Sequence, residues 1–100
     1  MSEKIVVVID EDLEDIVPGF LENRKADIEE IGRLLEKSDF ESIRILGHSM
    51  KGSGGGYGFD RITEIGAAIE EAAKRSDAEE IKRQTAELQD YLERVEVRYE

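Results

Sequence analysis

The sequence predicts an all-α fold: an antiparallel up-and-down four-helix bundle with a short N-terminal extended arm and one helical turn. Two observations predict it. Apolar residues recur at helical spacing in four separate segments, and very short links join those segments. Links that short make consecutive helices antiparallel neighbours. A chain of 100 residues holds one such domain with a modest core, and stripes sufficient for a single core imply a monomer.

The elements follow in order. "KIVVVID", residues 4–10, is apolar and β-branched, yet no second strand-like run exists to pair with it. It reads as an extended arm or single strand lying on the bundle. "DEDLEDIV" then reads as a short capped helical turn, so arm and turn occupy residues 1–17 and the bundle residues 18–98. Pro18 suits the first position of the long helix, where a missing N–H costs nothing.

In the first helix Leu21, Ile28, Ile31 and Leu35 form the stripe; in the second, from Phe40 to Tyr57, Ile43, Leu46, Met50 and Tyr57 do. The third, "DRITEIGAAIEEAAKR", aligns Ile62, Ile65, Ile69 and Ala73. The fourth runs from Asp77 to about Val97, with Ile81, Thr85, Leu88, Leu92, Val95 and Tyr99 at the alternating spacing of a bundle seam. Ser38 or Asp39, Asp60, and Ser76 or Asp77 are the candidate N-caps.

Composition narrows the function. A net charge of −11 excludes a phosphate-backbone binder, which needs clustered Lys and Arg. No apolar run approaches the roughly 20 residues of a membrane span, and no leader-like segment opens the chain. With no cysteine there is neither a disulfide framework nor a thiolate metal site, and the expectation is a cytoplasmic protein.

One stretch stands apart. "LGHSMKGSGGGYGFD", residues 46–60, contains the only histidine and six of the nine glycines. At about 100° per residue, His48 lies opposite the stripe of Leu46 and Met50 and faces solvent. Lys51, Gly52, Gly55 and Gly56 are its neighbours at i+3, i+4, i+7 and i+8. Each helical glycine costs roughly 1 kcal/mol against alanine, a large concession in a small domain. Gly54 continues the core stripe and suits close helix approach. The others bare the histidine face, which suits a partner that must bring a reactive group up to the ring.

Other motif readings fail. The run "GHSMKGS" has Ser53 where a phosphate-binding loop needs lysine, and Tyr57 stands where the dinucleotide pattern needs its last glycine. A lone histidine makes a weak metal site, and no orienting acid of a hydrolytic triad is identifiable.

"HSMKGSGGGYG", from His48 to Gly58, resembles the H-x-x-K-G-x-x-x-x-x-G signature of histidine-containing phosphotransfer (HPt) domains. "FDRITEIGAAIEEAA" is similar to that family's next helix, and the resemblance covers residues 12 to 97. Histidine kinase dimerisation bundles place an acidic residue after their histidine and a proline four residues on; here Ser49 and Gly52 occupy those places.

The resemblance implies a phosphorelay carrier without independent turnover. His48 would accept a phosphoryl group from an aspartyl phosphate on a response-regulator receiver and pass it to another receiver, or serve a hybrid histidine kinase. Lys51 would steady the phosphoryl oxygens and Gly52 would leave clearance for the receiver loop. Helix geometry alone adds Ile45 as an apolar rim contact and Gly55 and Gly56 as further clearance. No cofactor of the chain's own is implied; Mg²⁺ would arrive on the receiver. The alternative is a non-catalytic helical-bundle interaction or regulatory module that binds a partner through the glycine-rich face.

Overall fold

Four helices appear in the expected order: α1 spans Val17–Glu36, α2 Phe40–Gly54, α3 Asp60–Lys74 and α4 Ala78–Arg94. The computed structural model describes residues 3–100, so the first two residues of the expected arm lie outside the described residues. No described helix is long and apolar enough to cross a membrane.

The links "KSD" and "RSD" are the same device used twice. Ser38 and Ser76 turn the chain through φ of 55° and 54°. The following aspartate N–H donates back to the carbonyl of Leu34 or Ala72, at 2.9 Å in each case. The aspartate side chain then caps the next helix: Asp39 accepts from the Ser42 N–H and Asp77 from the Glu80 N–H, both at 3.1 Å. Asp60 is not a cap. Phe59 holds that position without a side-chain bond, and Asp60 is the first helical residue of α3, where its charge still favours the helix N-terminus. Pro18 is the second residue of α1, within the first turn, where the N–H has no helical acceptor.

The core joins Phe20, Ile31 and Leu34 of α1, Ile43 and Met50 of α2, Ile62, Ile65 and Ile69 of α3, and Ile81, Leu88 and Tyr91 of α4. Phe59 is fully buried and stacks on Phe20 at 5.6 Å, while Tyr57 lies on that ring at 4.3 Å. On α4 the buried face is Ile81, Gln84, Leu88 and Tyr91. The expected seam through Thr85 and Leu92 is therefore rotated toward Gln84 and Tyr91, because the Tyr91 ring fills more of the core than Leu92.

The N-terminal segment departs most from expectation. It is strand β1, Ile5–Ile9, and it has a partner: α4 stops at Arg94, and Val95–Tyr99 forms β2. The two strands are parallel, with Ile5 opposite Val95 and Ile9 opposite Tyr99. A fourth helix reaching Val97 and an unpaired arm are both corrected. "VEVRY" fits a bundle seam and a half-buried strand equally; Val95, Val97 and Tyr99 turn inward while Glu96 and Arg98 stay exposed. The apolar β1 decides between them by supplying a ladder that a lone helical end lacks. The helical turn after β1 spans Glu11–Leu13, capped by Asp10, which accepts from the Asp12 N–H at 2.9 Å.

The α2–α3 contact positions everything that follows. A Cβ placed on Gly66 would lie 2.5 Å from the Lys51 nitrogen and 2.9 Å from the Gly47 carbonyl oxygen. One on Gly47 would meet the Glu70 nitrogen at 2.7 Å, and one on Gly54 the Thr63 nitrogen at 2.6 Å. As the number rises along α2 it falls along α3, so the helices are antiparallel and their backbones touch. By contrast a Cβ on Gly52 meets nothing within 4 Å. Gly66→Ala should therefore lose about 1–3 kcal/mol of unfolding free energy by overpacking. Gly52→Ala should gain up to about 1 kcal/mol from helix propensity. Denaturant unfolding of both variants checks the pair, and equal effects would contradict the packing described.

Candidate functional site

α2 forms because Asp39 caps it and Ile43, Gly47, Met50 and Gly54 give it one buried face. His48 stands off that face, its side chain 65% exposed. Ile45 is also exposed, at 55%. Gly52 is exposed with open space above its Cα. These three therefore share the solvent side of α2, as the helical phase requires.

The helix ends sooner than the sequence suggested. α2 closes at Gly54, Gly55–Tyr57 is a 3-10 turn, and Gly58 ends it in the left-handed region at φ 92°. Thr63 of α3 enforces the stop. Its hydroxyl donates to the Lys51 carbonyl at 2.9 Å and accepts from the Gly55 N–H at 2.7 Å. Gly55 and Gly56 are exposed, but the α-helical count that placed them beneath the histidine no longer applies. A Cβ on Gly55 would touch the Thr63 hydroxyl at 3.5 Å, whereas Gly56 has free space.

The residue that sequence reasoning missed is Glu70. It projects from α3 one turn beyond Gly66 and is only 5% exposed. Its two oxygens have different partners: Oε2 lies 2.9 Å from His48 Nδ1, and Oε1 lies 2.8 Å from Lys51 Nζ. The Gly47–Gly66 contact makes this reach possible by bringing the α3 backbone against α2. The signal was present in the helical phase. Glu70 follows Gly66 by four and sits beside Ile69 on the buried stripe, an acid where the pattern calls for an apolar residue. Glu71, one position further, is exposed and pairs with Lys74 at 3.3 Å.

The hydrogen bond from Lys51 holds the Glu70 carboxyl below the ordinary glutamate value of 4.5, against the opposing effect of burial, and the His48 contact adds to the lowering. At neutral pH Glu70 is thus an anion, and an anion can only accept. His48 Nδ1 must then carry the proton it shares with Oε2. In the neutral ring that tautomer leaves the lone pair on Nε2, which has no hydrogen-bond partner among the described residues and belongs to a largely exposed side chain. The arrangement is an imidazole oriented from behind, with its second nitrogen outward.

Such a site, an oriented and exposed imidazole on the second helix of a four-helix bundle, defines a helical-bundle module with a histidine fixed at its surface. Comparison with known families agrees: the model of the Hpt domain matches residues 15–97, and the chain belongs to that family. Hpt domains carry out histidine phosphotransfer in two-component phosphorelays and interact there with receiver domains and kinases. Neither a curated protein nor a solved structure gives a significant match.

A lowered carboxyl pKa has a definite consequence for acid stability. Glu70 is deprotonated more readily folded than unfolded, so its contribution is full above the unfolded value of 4.5 and is lost as pH falls through the lower folded value. The thermal midpoint of the wild type should fall on acidification below pH 4.5. Glu70→Gln, which cannot titrate, should show a shallower fall across that window. Parallel curves for the two proteins would remove Glu70 from this account.

Proposed function

We propose that His48 is the phosphoacceptor, through Nε2, and that the chain relays the group between receiver domains. The observation that carries the reading is the buried Glu70 bonded to Nδ1, which leaves Nε2 both nucleophilic and exposed. In the forward step the Nε2 lone pair attacks the phosphorus of an aspartyl phosphate on a receiver. The P–N bond forms as the P–O bond to the aspartate breaks, and the carboxylate leaves with the electron pair. The imidazole gains positive charge as this happens, and Glu70 meets that charge through the Nδ1 proton. The return step to a second receiver reverses the same bonds.

Lys51 is the cation of the site. In the resting geometry it holds Glu70, and its half-exposed ammonium reaches the side on which phosphoryl oxygens would arrive. Gly52 keeps the surface beside the ring free of side chain, Ile45 offers an apolar contact, and Gly55 and Gly56 flank the approach. In this reading the receiver brings the aspartyl phosphate and its Mg²⁺, and the chain acts as a carrier without turnover of its own, as the family does. A helical module that merely docks through this face would have no use for a buried acid aligned with the imidazole.

Incubation with a phosphorylated receiver should give an acid-labile, base-stable adduct that His48→Gln cannot form. Nitrogen-15 NMR of the adduct should place phosphorus on Nε2; attachment at Nδ1 would overturn the tautomer argument. Glu70→Ala should slow transfer by roughly tenfold or more, by analogy with the loss when the carboxylate that orients a metal-bound imidazole is removed. Lys51→Ala should slow transfer as well. Gly52→Gln should block it sterically while leaving the helical circular-dichroism signal intact, and normal transfer by that variant would show that clearance at Gly52 is irrelevant.

A further inference from the structure

The two-stranded sheet has two edges, and they differ. The Glu100 N–H donates to the Ile9 carbonyl at 3.0 Å, so the odd-numbered residues of β1 direct their backbone groups at β2. The backbone groups of Val6 and Val8 therefore point the other way, along an edge where no further strand pairs among the described residues. The strand itself carries none of the usual edge protection. None of the residues Ile5–Ile9 is charged, glycine or proline, and Val6 and Val8 are 48% and 56% exposed. β2 differs: it carries Glu96 and Arg98, already paired to each other at 3.8 Å, on its outer face. A two-stranded sheet is also marginal on its own, and further strands stabilise it.

We infer that the β1 edge pairs with the β1 edge of a second copy of this chain, antiparallel and centred on Val7. The sequence is self-complementary in that register. Val6 lies opposite Val8 of the second copy on both sides of the axis, and Lys4 lies opposite Asp10 at both ends. Val6 and Val8 are the residues with outward backbone groups, so each such pair exchanges two N–H to carbonyl bonds. The four exposed valines then cover one another in cross-strand contact. The result is a four-stranded sheet, β2-β1-β1-β2, with each bundle keeping its own core. The net charge of −11 per chain opposes association at long range, and salt screens it beyond about 8 Å at physiological ionic strength. Pairing is therefore concentration-dependent and weak.

Light scattering behind size exclusion, at physiological salt and rising concentration, reads the mass directly. The wild type should move from the 11.3 kDa of one chain toward twice that. Val8→Pro removes an outward N–H and leaves the bonds to β2 in place, so it should stay at single-chain mass with an unchanged helical spectrum. Lys4→Asp alone sets like charges opposite each other, as does Asp10→Lys alone, and both should stay monomeric. Mixed in equal amounts they are complementary and should recover the doubled mass, a gain that misfolding cannot mimic. A wild type that remains at single-chain mass near millimolar concentration overturns the inference. So does Val8→Pro associating as the wild type does, or a mixture that stays monomeric.

Discussion

The backbone contact between Gly47 and Gly66 is the constraint on which the site depends. A Cβ on either residue would fall within 2.9 Å of backbone atoms in the facing helix, where no side chain can rotate away. With any larger residue the helices would separate, and Glu70, a short acid on α3, could no longer reach both His48 and Lys51 on α2. Helical glycine costs roughly 1 kcal/mol against alanine. The chain accepts that cost at positions of two kinds. Gly47, Gly54 and Gly66 let two backbones meet, while Gly52 lies on open surface with nothing overhead. The first kind brings Glu70 within reach of His48 and Lys51, and the second leaves the surface beside His48 bare.

The buried acid explains how an exposed side chain becomes directed. His48 alone, on a helix surface, would exchange rotamers and tautomers freely. Tied at Nδ1 to a carboxylate that is itself fixed by burial and by Lys51, the ring presents one nitrogen in one direction. Burying an anion is unfavourable unless it is paired and hydrogen-bonded. Lys51 meets that condition, which is why the lysine belongs to the folded site as much as to any chemistry on an arriving phosphoryl group. Thr63 completes the frame from the far side by binding both the Lys51 carbonyl and the Gly55 N–H. Arg24 of α1 reaches the same turn, donating to the Ser53 hydroxyl at 3.3 Å.

The parts legible in the sequence were those governed by a single period. Four helices followed from the spacing of isoleucine and leucine. On α1, however, the buried face is Val17, Phe20, Ile31 and Leu34, and the expected Leu21, Ile28 and Leu35 are only partly buried. The solvent phase of His48 followed from its offset against Leu46 and Met50. What escaped reading was decided by contacts between elements. Glu70 stands in an "EE" pair, and only its phase against Gly66 separates it from Glu71. The end of α2 depends on a threonine hydroxyl nine residues past the last helical residue, invisible to local propensity. β2 was hidden because Val95 and Tyr99 satisfy the seam spacing and the strand alternation together. Its choice rests on β1, at the opposite end of the chain.

That long-range pairing also bears on the site. An even number of antiparallel helices returns the chain to the end of the bundle where α1 began, so β1 and β2 can meet. The meeting is fastened at several points: Arg94 Nε donates to the Glu3 carbonyl at 2.7 Å and the Glu11 N–H to the Glu100 carbonyl at 3.1 Å. The sheet then delivers Ile9 to the turn after α2, where its Cδ1 lies 2.7 Å from the place a Gly58 Cβ would occupy. Glycine is thus favoured at Gly58 by its left-handed φ, and a side chain there would also have to displace the tip of Ile9. Beside it Tyr57 and Phe59 stack on Phe20 of α1. A run of three glycines ending a helix would ordinarily fray. Here the strand from the N-terminus, the aromatic stack and the Thr63 hydroxyl hold that end in place. The glycines therefore leave a bare surface at a helix end that is held by contacts with three other elements.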